Sequence, residues 1–132
     1  MIWKISPVRA DLFLTAGFFI PYNESIIKKG IMEMSLTVLL YYTGTNGNAR
    51  KFAEEMMASG VVDAVRAEEG NERYEYFFPA EDPETVLLID RWRDQAALDF
   101  HHKSPMMESI AALREKYRLR LRVERYIDEK RG

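Results

Sequence analysis

Two histidines stand side by side at His101 and His102, and the chain has no others. An imidazole has an unperturbed pKa of about 6.5, so it is the side chain best suited to exchange protons near neutrality. The pair is preceded by Trp92, by a carboxylate two residues before it at Asp90, and by Asn71 and Tyr74. Together these residues offer a proton acceptor, an aromatic surface, an amide and a phenol, the set needed to bind a small ring and remove a proton from it. Neighbouring helical positions diverge by roughly 100°. The two histidines therefore cannot face one pocket or grip one metal together. His101 follows Ala97 and Leu98 by four and three residues, which places it on an apolar helix face. The other reading of His101 is a helix-end histidine satisfied by a backbone carbonyl. Trp92 and Tyr74 could equally be core residues, Asn71 a turn residue bonding its own backbone, and Asp90 one half of an ion pair with Arg73, Arg120 or Arg122. If Asp90 shares an apolar face with Val86, Leu88 and Trp92, it needs such a partner or a raised pKa.

The elements that must position these residues are legible from periodicity. Leu36, Val38, Leu40 and Tyr42 alternate with Thr37, Leu39 and Tyr41, which predicts a strand apolar on both faces. After the Gly44–Asn48 turn, Ala49, Phe52, Ala53, Met56 and Met57 recur at helical spacing, with Asn46 or Asn48 as the cap and Gly60 as the stop. Val61 to Glu69 reads as a connection with room for one more short helical turn. Glu72 to Phe78 and Thr85 to Trp92 read as strands joined in a hairpin through the Asp82-Pro83 turn. Asp94 is positioned to cap a helix carrying both histidines, and Ser104-Pro105 to start the next, with Met106, Ile110, Leu113 and Tyr117 as its apolar stripe. Leu119 to Tyr126 alternates again. Strand, helix, strand, strand, helix, strand is an α+β, ferredoxin-like split βαβ order with a four-stranded antiparallel sheet and helices on one face.

Several of these residues also fall in a familiar order. Glu69-Gly70-Asn71, Tyr74, Asp82-Pro83, Asp90-Arg91-Trp92, Asp94, Ala97-Leu98, His101 and Ser104 resemble the pattern of the antibiotic biosynthesis monooxygenase (ABM) family over roughly Ser35 to Ile127. The resemblance implies a dimeric α/β barrel in which two sheets pair face to face, with small-molecule pockets between each sheet and its helices. It implies a cofactor-independent, quinol-type monooxygenase whose partners are a small aromatic substrate, molecular oxygen and a second copy of the chain. On this reading His101, Asn71 and Trp92 are the catalytic candidates, and Tyr74, Asp90 and His102 the substrate-binding ones. The family more often has Glu where this chain has Asp90. Two other activities fit the same pocket: isomerisation or processing of a small carbonyl signal compound, and ligand binding without catalysis. The haem-degrading branch of the superfamily does not match. That branch uses an Asn on the first strand, absent from Leu36 to Tyr42, and an axial His where this chain has Ala111.

Composition narrows the classes further. The 132 residues suffice for one compact domain, and a formal net charge of −2 offers no positive field to collect a phosphate backbone. Nucleic acid is not an expected partner. The absence of cysteine removes disulfides, thiolate metal sites and thiol nucleophiles, and is compatible with the cytoplasm. Without clustered ligands no metal is expected, and the Gly44–Asn48 loop has neither P-loop nor dinucleotide-binding spacing, so no cofactor is expected either. The apolar run Leu12 to Ile20 is roughly nine residues, against the ~20 that span a bilayer. No membrane association is expected. As the core of a signal peptide that run is interrupted by Asp11 and lacks a following small-x-small site. Residues 1–34 are set apart from the ABM-like domain of residues 35–132 as an extension that is either disordered or a misassigned start. For the second, Lys28-Lys29-Gly30 implies a purine-rich stretch just upstream of Met32 and Met34.

Overall fold

The computed structural model describes residues 5–7, 30–31 and 33–128. The sheet is built on β2 (Leu36–Thr43), whose neighbours on both sides are antiparallel. Alternation along β2 sends Leu36, Val38 and Tyr42 into the core, and β4 (Thr85–Trp92) answers in register with Trp92 opposite Leu36, Asp90 opposite Val38 and Val86 opposite Tyr42. β3 (Asn71–Phe77) pairs with the far side of β4, and β5 (Arg120–Asp128) with the far side of β2. A three-residue strand, β1 (Ile5–Pro7), adds to the outer edge of β5, so the sheet order is β1-β5-β2-β4-β3. The four strands expected from the sequence are thus joined by a fifth. β1 is too short for an alternation signal and ends on proline, which sequence patterns discount as a strand residue. Residues 1–4, 8–29 and 32 of the N-terminal extension, which include the signal-peptide run and Met32, lie outside the described residues.

Four helices cover one face: α1 (Asn48–Ala58), α2 (Val61–Arg66), α3 (Gln95–His102) and α4 (Met106–Lys116). α1 buries Ala49, Phe52, Ala53 and Met56 at the predicted spacing. Its cap is not Asn46 or Asn48. Gly47 occupies the cap position with a left-handed φ of 75°, and the Glu84 carboxylate accepts hydrogen bonds from the backbone N–H groups of Asn46 and Gly47. An anion supplied by the start of β4 thus satisfies the helix N-terminus. Gly60 closes α1 and opens α2 directly. Asp94 caps α3 as expected, accepting from Ala97 N–H at 2.8 Å. Ser104 does not cap α4. Its hydroxyl is buried without a partner, and only its backbone carbonyl receives a bond, from Met107 N–H.

The core between sheet and helices is dominated by Trp92, Phe52, Met56, Leu88 and Leu98, each less than 2 % exposed. Burying side chains of this size contributes roughly 1.5–3 kcal/mol apiece before entropy is subtracted. Among the described residues, no helix covers the opposite sheet face. Leu39, Tyr41, Leu87 and Ile89 lie half-buried there, ringed by charged pairs that include Arg91 with Glu72 and with Asp128.

Candidate active site around His101

The start of β3 and the start of α3 meet at a close contact that organises the site. Gly70 has a left-handed φ of 87°, and its carbonyl accepts from Arg93 N–H at 2.7 Å. A Cβ on Gly70 would lie 2.5 Å from the Cβ of Ala97, so only glycine lets the loop pass this near the helix. Ala97 is one turn before His101 on α3. Glu68, two residues before Gly70, is held by its own backbone: its N–H donates to Val65 O and its carbonyl accepts from Asn71 N–H.

This juxtaposition sets Glu68 Oε1 2.8 Å from His101 Nδ1, with the histidine side chain 4 % exposed and the glutamate 9 %. The other face of the imidazole stacks on Trp92, centroids 4.7 Å apart and planes inclined by 28°. His101 Nε2 has no hydrogen-bond partner among the described residues. Asp90 precedes Trp92 on the same face of β4 and is buried, with Tyr74 opposite it on β3. Neither Arg73, Arg120 nor Arg122 reaches it. Arg73 pairs with Glu75 and Arg122 with Glu124, and by strand parity all three arginines point to the helix-free face, so the expected ion pair is not made. Desolvation by burial instead pushes the Asp90 carboxyl up to about 7, helped by the charge of Glu68 and opposed by the nearby Trp92 indole N–H.

Three buried polar atoms in this neighbourhood lack hydrogen-bond partners: Glu68 Oε2, Asp90 Oδ1 and Trp92 Nε1. Leaving such atoms unpaired costs about 1–3 kcal/mol each, so a polar group that bonded them would be stabilised here. The aromatic wall continues from Tyr74 to Tyr76, Phe52 and Tyr42 through edge and tilted contacts of 6.0, 6.2 and 4.7 Å. Burial raises the phenols of Tyr74, Tyr76 and Tyr42, so they serve as neutral hydroxyls, and Tyr76 Oη is itself unpartnered.

Of the residues singled out from sequence, the structure brings together His101, Trp92, Asp90 and Tyr74. Asn71 lies opposite Trp92 on β3, and His102 follows His101 on α3. The Asn71 amide nitrogen donates to the backbone carbonyls of Arg73 and Arg91, where the β3–β4 register slips between Asn71 and Arg73. His102 is exposed at the end of α3, its ring 5.8 Å from that of His101, and burial followed by the His101 ring lowers its pKa. Glu68 was not foreseen. The signal for it is slight: an acidic doublet just ahead of a glycine that opens a strand, 33 residues from its partner. No group of three or more His, Asp or Glu side chains able to hold a metal occurs among the described residues, and no helix there is long and apolar enough to cross a membrane.

Comparison with known proteins agrees with this architecture. The family model "Antibiotic biosynthesis monooxygenase" matches residues 35–113. A Bacillus subtilis (strain 168) protein named "Putative monooxygenase YcnE" is 33 % identical over 55 residues, 42 % of this chain and 58 % of that protein, so the match spans little more than half of the relative's length. Among solved structures, PA3566 from Pseudomonas aeruginosa superposes with a TM-score of 0.62 at 25 % identity, covering 75 % of this chain and 98 % of its own. A Deinococcus radiodurans structure described as "a putative antibiotic biosynthesis monooxygenase" superposes with a TM-score of 0.64 at 14 % identity, over 74 % and 95 % of the two chains, and so speaks for the fold alone. The order of elements and the family-model match over residues 35–113 lead to one conclusion: this chain belongs to the antibiotic biosynthesis monooxygenase family.

Proposed function

We propose that the protein is a cofactor-independent monooxygenase of a small aromatic, quinol-type substrate, working in the cytoplasm as a homodimer. The observation that supports this best is the buried imidazole of His101, held by its edge and its face with no partner for Nε2 among the described residues, beside polar atoms of Trp92 and Asp90 that likewise lack partners there. In the proposed reaction Nε2 takes the proton of a substrate hydroxyl. The resulting anion gives one electron to molecular oxygen, and the radical pair recombines at a ring carbon. Loss of water then leaves one oxygen atom on the product as a carbonyl, with every electron supplied by the substrate. Trp92 N–H and the Asp90 carboxyl are suited to bond substrate oxygens, and Tyr74 to pack against the ring. The scheme requires a dry space between these aromatic side chains, to protect the radical pair from water. Asn71, opposite Trp92 on β3, accepts a hydrogen bond from a substrate hydroxyl through its amide oxygen in this scheme, while its amide nitrogen donates to the backbone.

A second reading, isomerisation of a small carbonyl compound, is favoured by one observation. Asp90, pushed up to about 7, and His101 give two neighbouring groups able to exchange protons, as enolisation requires. Oxygen uptake separates the two readings. Hydroquinones and anthrols that drive His101-dependent consumption support the monooxygenase; turnover of a carbonyl compound without consumption supports the isomerase. Thermal stabilisation by a ligand without product would favour simple binding.

A further inference from the structure

Glu68 has no assigned role, yet it makes the one hydrogen bond that the His101 side chain forms among the described residues. A carboxylate only accepts hydrogen bonds, so the nitrogen facing it must be the one that carries the proton. We propose that Glu68 is a positioning residue that holds His101 as the Nδ1–H tautomer, leaving the lone pair on Nε2. Its catalytic meaning rests on the monooxygenase reading above. An imidazole free to choose favours the opposite, Nε2-protonated form, which has no lone pair to offer at that nitrogen.

The geometry limits each remaining freedom of the ring. Stacking on Trp92 at 4.7 Å fixes its plane, and the 2.8 Å bond to Glu68 fixes its rotation within that plane. Glu68 cannot drift, since Val65 O and Asn71 N–H hold its backbone on either side, and Gly70 pins the loop to Ala97. The buried carboxylate also stabilises the imidazolium formed when Nε2 accepts a proton, and its second oxygen remains unpartnered to do so without competition.

The test begins with the tautomer, which needs no substrate. Long-range ¹⁵N–¹H NMR of the full chain at mildly alkaline pH reads the protonation of each ring nitrogen, and a His102→Gln variant assigns the two histidines. The wild type should show His101 protonated at Nδ1, Glu68→Gln should keep that form through its amide oxygen, and Glu68→Ala should shift it toward Nε2–H. Finding Nε2–H in the wild type overturns the proposal, even if Glu68→Ala fails to fold. So does a folded Glu68→Ala whose tautomer is unchanged. Oxygen uptake with 1,4-dihydroxynaphthalene then reads the consequence. Glu68→Ala should lower kcat by about tenfold or more with KM little changed, and Glu68→Gln should lose less. The expected tautomer in a protein that consumes no oxygen would leave the positioning intact while sinking the monooxygenase reading.

Discussion

Gly70 and Ala97 approach so closely that one added methyl group would put two Cβ atoms 2.5 Å apart, and this contact brings Glu68 to His101. The glycine also sits at φ 87°, where a side chain is strained in its own right. Two costs therefore fall on one substitution. Gly70→Ala should lose about 2–4 kcal/mol of unfolding free energy, measured by urea denaturation at fixed pH. It should also disturb the His101 ring, because the loop can relieve the clash only by moving away from α3. A loss below about 0.5 kcal/mol would mean that the contact does not organise the site.

Asp90 makes the fold sensitive to pH in a direction opposite to that of a salt-bridged carboxylate. Its folded value of about 7 lies above the ordinary value of 3.8, with desolvation as the main cause. Between these values the folded protein keeps a proton that the unfolded chain releases, so this contribution is complete below about pH 4 and is lost as pH rises through 7. Asp90→Asn is neutral throughout. Its stability relative to wild type should improve by on the order of 1–4 kcal/mol between pH 4 and pH 8, as read from paired denaturation curves. A flat difference across that range would show that Asp90 titrates normally.

The helix-free sheet face supports the proposed dimer. Leu39, Leu87 and Ile89 are half-buried there inside a rim of ion pairs, an apolar centre of the kind that a second copy would cover. Ile89→Glu should place a charge at that centre and convert the protein to a folded monomer in sedimentation velocity experiments. An unchanged dimer would place the interface elsewhere, and a wild-type monomer would remove it from the proposal.

The sheet is readable because β2 is an apolar run bounded by a glycine turn, β4 alternates in burial, and Asp94 is a strong cap immediately ahead of an apolar-faced helix. Parity groups Asp90 with Trp92 and helical spacing turns His101 to an apolar face, while the resemblance to the family joins these with Tyr74. Glu68 could not, since its meeting with His101 depends on a glycine–alanine approach between separate elements. The arginine partner imagined for Asp90 fails on a point of parity already present in the sequence: Arg73 neighbours Tyr74, so when Tyr74 faces the helices Arg73 cannot. The cap of α1 was misread for a different reason. Asn46 and Asn48 are local candidates, whereas the group that serves the helix, Glu84, comes from 37 and 38 residues further along the chain.

The central claim is that His101 takes a proton from a substrate that then reduces oxygen. The most direct measurement is oxygen consumption by purified, metal-stripped protein given hydroquinones and anthrols, beside a His101→Ala variant shown to be folded and in the same oligomeric state. Uptake by the wild type and a loss of about 10²-fold or more in the variant are expected. Equal uptake by both proteins, or none by the wild type across the panel, would contradict it.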